Sequence, residues 1–548
     1  MNPSCISYAH APKTTALFLD YLYHFDRVRN FYSGPPSEIT SYHAVAREIS
    51  SLYPHRRELT EILAHQNHTF GCGEATHANI QRLRDPRTFA VVTGQQVGLF
   101  SGPAFTLYKA LTAVKLAQSL TNQGLECVPV FWLATEDHDL EEVAKTAVLD
   151  EAGELIPLEV AGDRPAPRCS VGYVKLSTQV EAMLDRLGQF LPEGASRAQL
   201  LEDLRQSYSA GIHWGEAFAR LMARIFSRFG VVLLDPLNES VHRLARGIYQ
   251  KALQQAPRLR HLLEERSKRL INSGYHAQVH VAEDSTLLFA ARRGNRELIR
   301  QRGKEFYLEG QDVVTLENLQ TWVADRPLDF TPSALLRPIV QDSILPTVAY
   351  VAGPAELAYL AQSQAFYPEF GRPLPVVLPR ASFTLADRRQ ERLLQKYHLT
   401  LEDVWQGEER LRRKIAAAGL GEHGGDGKET WAEHLDQAER ALQEMFERLQ
   451  RDVEPIDPTL LDAARNAHEK MAYQLERLRS KISRAALERS EILKRHEQEL
   501  LRFLLPAGNF QEREVGGVYF LGRVGYELLD RLLGQISTRC SDHQFLIC

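Results

Sequence analysis

One stretch constrains the fold of this chain more than any other. From Phe89 to Lys109 it reads FAVVTGQQVGLFSGPAFTLYK. The apolar run Phe89–Val92 predicts a buried strand, the segment holding Gly94, Gly98 and Gly102 a loop, and the residues from about Pro103 a helix. A strand, a glycine-rich loop and a helix in that order place backbone N–H groups where an anion can sit. A second unit follows at VPVFWLATEDHD, Val128 to Asp139, where an apolar strand runs into three carboxylates and a histidine. Two strands that both end in polar clusters imply one crevice at the carboxyl edge of a parallel sheet. The loop carries neither the dinucleotide pattern GxGxxG nor the P-loop pattern GxxxxGK(S/T).

The expected fold class is therefore α/β, with a parallel sheet as its core. Residues 1–160 hold the first part of that core, and 161–225, which include the irregular stretch AGDRPAPRCSVGY, read as a connective insertion. An amphipathic helix at about Glu216 to Phe229 leads into the apolar strand VVLLDP, Val231 to Pro236. Residues 226–386 form the second part of the core, helical over 240–272, with a small antiparallel insertion near 276–330. Two heptad-like runs then lie within a helical domain at 387–500. One holds Leu435, Ala438, Leu442, Met445 and Leu449; the other Ala464, His468, Met471, Leu475, Leu478, Ile482 and Ala485. VEPIDP between them breaks the helix, which predicts an antiparallel hairpin. Gly419 to Lys428 reads as a flexible link, and 501–548 as a segment packing back on the core.

Composition excludes several classes of partner. The 548 residues carry 65 Lys+Arg against 70 Asp+Glu, a formal net charge of -5, which gives no basic face for nucleic acid. No run approaches a membrane span, and no basic region followed by an apolar run marks a signal peptide. The 6 cysteines show no CxxC spacing, so neither a disulfide framework nor a cysteine zinc site is expected. The expectation is a cytoplasmic protein.

The candidate site residues fall in four segments. Thr93, Gln95, Gln96 and Gly102 belong to the glycine loop, where amides suit recognition because they do not titrate. Glu136, Asp137, His138 and Asp139 follow a buried strand, where four titratable groups are costly unless paired or bound. Three roles stay open for them: a general base for an amine, carboxylates for an ammonium or Mg²⁺, or caps for the next helix. If the strand continues, alternation lets only two of the four face one ligand. Arg337, Gln341 and Asp342 set an anion binder beside an amide and a carboxylate. Gly353 and Glu356 read as another loop-to-helix start. Lys109 reads as a surface lysine, and His276 and His280 as ordinary histidines on one face of a strand.

Several motifs also resemble one family. TGQQVGLFSGPAFTLYKA, PVFWLATEDHD, LLRPIVQD, YVAGPAELAY, LPRAS and PAGNFQER, in that order, are similar to the bacillithiol biosynthesis cysteine-adding enzymes. The resemblance implies a Rossmann-type core like that of class I aminoacyl-tRNA synthetases, with connective insertions and a coiled-coil arm that makes a homodimer. It implies a ligase that joins L-cysteine to glucosaminyl malate through an amide bond, in the last step of bacillithiol synthesis. Asp137 or His138 would then be catalytic, and the other candidates would bind substrate. Against the synthetase pattern, Phe100 to Pro103 stands in place of the HIGH motif and Pro379 to Ser382 near the KMSKS loop. The histidines and lysines of those motifs are absent, so the use of ATP or ADP, with or without Mg²⁺, has no residues assigned to it. The alternative reading is a non-catalytic nucleotide-binding or scaffold protein on a degenerate core of this kind.

Overall fold

The computed structural model of the chain describes residues 4–308, 313–421 and 431–548. Its central sheet is built from β1 (Phe89–Gln95), β2 (Cys127–Leu133), β3 (Val232–Leu234), β4 (Thr347–Ala352) and β5 (Val376–Pro379). Every neighbouring pair is parallel, and the spatial order is β3-β2-β1-β4-β5. That is the strand order of a Rossmann core, and the order reverses between β1 and β4. The strands read as unbroken apolar runs because helices cover both faces of the sheet. A parallel neighbour needs a long crossover. Between β1 and β2 it is α1 (Phe105–Asn122), which is buried almost all round. An apolar residue set on every side of a helix marks one that solvent does not reach.

Three further helices bear on the site. α2 (Glu239–Gln254) follows β3 and is capped by Asn238, whose side chain accepts from the Ser240 and Val241 N–H groups. α3 (Arg337–Ile344) turns LLRPIVQD into a short helix with Pro338 in its first turn. α4 (Pro354–Ser363) starts directly beyond β4. An antiparallel sheet inserted between α2 and α3 contains Ser285–Arg292, Asn295–Arg302, Glu305–Tyr307, Val313–Val314 and Phe330–Pro332. The predicted strand carrying His276 and His280 is not part of it. Both histidines sit in irregular chain before Ser285.

Beyond the core, α5 (Trp431–Val453) and α6 (Leu460–Glu488) form a helical hairpin. The heptad reading is corrected in detail. Leu435, Phe446 and Ala464 are buried, whereas Met445, Leu449, Met471 and Leu478 are between 41% and 49% exposed. Two helices cover one narrow stripe on each other, and the second stripe stays uncovered. Of the expected link at Gly419 to Lys428, residues 419–421 end the helix Glu408–Gly421 and the rest lies outside the described residues. The C-terminal segment returns to the core: His543–Ile547 pairs with Phe383–Ala386 and with Ser4–Ile6. Among the described residues no helix is long and apolar enough to cross a membrane.

Candidate active site

The switch point between β1 and β4 opens into a cavity of about 590 Å³, roofed by the antiparallel sheet. Gln95 and Gln96 lie on one side, Gly353 and Glu356 on the other, and Glu136 and Asp137 enter from the end of β2. Arg337 lines it from the first turn of α3. The roof contributes Arg296, with Leu287 and Phe289 as part of an apolar wall.

Gly94 is needed here for close approach. A Cβ on it would lie 3.0 Å from the Trp132 carbonyl oxygen, so β1 and β2 could not stay paired at their ends. The sharp reversal is made further on, where Phe100, Ser101 and Gly102 all have positive φ. Gly98 and Gly102 pack backbone to backbone, a Cβ on Gly98 meeting the Gly102 Cα at 2.8 Å. The anion cradle expected at this loop is not built. The Gly98 N–H donates to Gln96, the Gly102 N–H to Leu99, and the Ala104 N–H at the start of α1 to the Val515 carbonyl. The Gly517 N–H donates to the Gly102 carbonyl. The C-terminal segment therefore plugs the loop where a phosphate would otherwise approach.

Lys109 overturns its reading as a surface lysine. It is 1% exposed. Its Nζ donates to the Gly94 carbonyl at 2.6 Å and Gln95 Oε1 at 3.1 Å, and lies 2.5 Å from Glu356 Oε2. Burial pulls its pKa down, while Glu356 opposes that shift. Glu356 also accepts from the Tyr350 hydroxyl at 2.8 Å and the Gly353 N–H at 2.7 Å. The two walls of the switch point are thus pinned by one ammonium and one carboxylate.

Arg337 donates to the Tyr359 hydroxyl at 2.8 Å and Gln341 Oε1 at 2.9 Å. Gln341 and Asp342 lie behind it and do not line the cavity. Gln341 Nε2 donates to Asp342, which also accepts from the Tyr367 hydroxyl at 2.6 Å. Burial raises the Asp342 pKa against those bonds. Thr93 is likewise a framework residue, donating to the Val351 carbonyl across the sheet. Gly102 serves the turn.

β2 ends at Leu133, so strand alternation does not govern the acidic cluster, and the consecutive Glu136 and Asp137 both face the cavity. Asp139 is the helix cap, accepting from the Glu142 N–H at 3.0 Å. His138 is exposed at the rim, its Nδ1 3.4 Å from Asp137 Oδ1 and 3.3 Å from Arg296 Nη1. Asp137 accepts from the His138 N–H at 2.7 Å and from Gln96 Nε2 at 3.0 Å. Burial would raise its pKa, but these bonds and the Arg296 charge outweigh burial and hold the carboxyl well below the usual carboxylate range.

Arg380 and Arg513 complete the wall near α4. Arg380 is fixed by Glu512 at 2.6 Å in a fully buried pair, and Glu512 also accepts from Ser382 at 2.8 Å. The PRAS and PAGNFQER segments are thereby one structure.

The sequence agrees with this architecture when compared with known proteins. Residues 1–381 match the family described as "Bacillithiol biosynthesis BshC, N-terminal Rossmann-like domain", and residues 383–548 match "Bacillithiol biosynthesis BshC, C-terminal coiled-coil domain". The chain belongs to the bacillithiol biosynthesis BshC family. Similar relatives in that family are each named "Putative cysteine ligase BshC". That of Koribacter versatilis is 36% identical and that of Solibacter usitatus 35%, both over 100% of each chain. That of Salinibacter ruber is 32% identical over 96% of this chain and 95% of its own.

Sequence reasoning missed Lys109, Arg296, Arg380 and Arg513 as cavity residues. For Lys109 a signal existed: the polar stripe of its helix runs through Lys115, Gln118, Ser119 and Asn122, and Lys109 lies off it. For Arg380 the signal was the pairing of two separated motifs. Arg296 had none, since it reaches the cavity only through the fold of the roof.

Proposed function

We propose that this chain is a cysteine ligase that joins L-cysteine to glucosaminyl malate, forming the amide of bacillithiol in the last step of its synthesis. The observation that carries the reading is the division of charge in the switch-point cavity. Arg337, Arg380, Arg513 and Lys109 gather around Glu356 on one side, and Glu136 and Asp137 stand at the end of β2 with Arg296 facing them. A substrate with two malyl carboxylates and an amine fits such a site by charge. Guanidinium groups hold carboxylates with paired hydrogen bonds, and carboxylates hold an ammonium. Gln95 and Gln96 supply neutral donors and acceptors for sugar hydroxyls. Family membership and the names of the relatives support the assignment.

Asp137, the first candidate for proton acceptor, suits a different task. A carboxyl held ionised is a weak base, so Asp137 is assigned to anchor the substrate ammonium. His138 stands beside it at the rim and orients its carboxylate. Activation of the cysteine carboxyl is assigned to a nucleotide, ATP or ADP, whose residues are not specified. The glycine loop does not offer a phosphate site, because Val515 and Gly517 already bond to it.

The uncovered stripe of Met445, Leu449, Met471 and Leu478 supports a homodimer through the helical hairpin. Sedimentation of a Met471→Glu, Leu478→Glu variant at half the wild-type mass would bear this out, and an unchanged mass would reject it. The function itself is tested with purified protein, L-cysteine and glucosaminyl malate, with and without ATP and Mg²⁺, read by mass spectrometry. Bacillithiol with AMP or ADP supports the ligase. No product under any of these conditions rejects it in favour of a non-catalytic core.

A further inference from the structure

We infer that Glu136 and His242 form a proton-sharing pair in the cavity wall, with Glu136 the catalytic group that takes the proton from the substrate amine and His242 the positioning residue behind it. This inference rests on the ligase reading and supplies the proton acceptor that Asp137 is not suited to be.

The geometry makes the case. Glu136 is 6% exposed and lines the cavity; His242, on the first turn of α2, is 1% exposed. His242 Nε2 lies 3.3 Å from Glu136 Oε1 and makes no hydrogen bond to any described residue. His242 Nδ1 lies 3.2 Å from the Pro327 carbonyl oxygen and 3.2 Å from the Tyr249 hydroxyl. A carbonyl oxygen cannot donate, so its approach assigns a proton to Nδ1, with the Tyr249 oxygen a second acceptor of the same N–H. Nε2 and the carboxylate then face each other with one proton needed between them. Without that proton, an imidazole lone pair and a carboxylate meet in a buried wall. That form is costly, because both groups are left without a partner away from water.

Asp235 approaches the pair from the end of β3; burial raises its pKa against the bonds it accepts from Thr135 and the Leu237 N–H. Tyr173 and Arg296 face Glu136 from the insertion and the roof, and Arg296 is the one cation among these groups.

The step balances as follows. The substrate arrives as an ammonium against Asp137, and its charge expels the pair's shared proton to solvent, leaving Glu136 free to accept another. Glu136 removes one proton, and the freed nitrogen lone pair forms the C–N bond to the activated cysteine carboxyl. The activating group leaves with the electrons of its C–O bond, and the second nitrogen proton departs to solvent. General-base assistance of this kind is worth about 10²–10⁴ in rate.

The test compares kcat and KM of wild type, His242→Gln and Glu136→Gln. Removing the imidazole should lower kcat by about 10² or more, with KM for glucosaminyl malate unchanged. Glu136→Gln should lose kcat to a similar degree and keep its fold, since the new amide can donate to Nε2. Variants that melt earlier but keep the wild-type kcat overturn the inference. If wild type forms no product, the ligase reading fails separately. The pair is then judged by nitrogen NMR of labelled histidine, with His242→Gln to assign the signal. Both ring nitrogens of His242 protonated near neutral pH upholds the shared proton. A neutral ring beside an ionised Glu136 overturns it.

Discussion

Replacing Lys109 with methionine tests the reading of the switch point most directly. Methionine keeps the length of the side chain and removes the charge. Three acceptors lose their donor: the Gly94 carbonyl, Gln95 Oε1 and Glu356 Oε2. Breaking a buried ion pair by deleting one partner costs about 3–5 kcal/mol. Glu356 keeps the Tyr350 hydroxyl and the Gly353 N–H, which favours the lower end of that range. The orphaned Gly94 carbonyl adds about 1 kcal/mol. The expected loss is therefore about 4 kcal/mol, read as a fall in the urea midpoint at constant slope. Lys109→Met with Glu356→Gln should recover part of the loss, because no lone charge remains. A cost below about 1 kcal/mol, typical of a surface site, would refute the argument.

Other consequences follow from neighbouring sites. Glu512→Ala should cost about 3–5 kcal/mol and raise KM for the malyl substrate, because Arg380 loses its anchor, whereas Arg380→Met with Glu512→Leu should cost less in melting temperature than either single change. Gly94→Ala should cost about 1–3 kcal/mol in denaturation, since its Cβ meets the Trp132 carbonyl. His543 is buried between the Ser382 and Thr384 hydroxyls, and burial lowers its pKa to about 4. The unfolded imidazole, near 6.5, binds a proton first, so stability should fall by roughly 3 kcal/mol as pH drops from about 6.5 to about 4. His543→Gln should flatten that part of the curve in denaturant titrations at stepped pH.

The parallel core was legible because its signals are local. FAVV, VPVFW and VVLLDP are short apolar runs, and each ends where turn residues or acids begin. The meeting of the β1 loop, the end of β2 and the AGPAE turn follows from strand order, which motifs at strand ends suggest. Less local features were read wrongly. Gln341 and Asp342 look like ligands beside Arg337, but a helix turns them into the support behind it. Asp139 looks like part of an acidic site, yet the chain leaves β2 early enough for it to cap a turn. The heptads around Met445 and Met471 describe apolar stripes correctly without saying which of them the hairpin covers. His242 gave no signal at all, because its partner Glu136 lies 106 positions earlier and only α2 brings the two together.

The misread loop bears on how such a core can handle anions. In a Rossmann unit the first loop and helix start normally offer N–H groups to a phosphate. Here that place is filled from within: Val515 accepts from Ala104, and Gly517 donates to Gly102. A Cβ on Gly517 would lie 2.7 Å from the Leu107 side chain, so a side chain there forces Leu107 to shift. Anion binding must then come from side chains, and five cations (Lys109, Arg296, Arg337, Arg380 and Arg513) stand on the cavity wall. A guanidinium pairs with two oxygens of a carboxylate or of a phosphate, so the arginines on the wall can take an anion that the filled loop cannot. Gly517→Ala, by displacing the plug, should destabilise the chain and open the loop to inorganic phosphate. Calorimetry that finds no phosphate binding to a folded Gly517→Ala variant would show that the plug is not what excludes it.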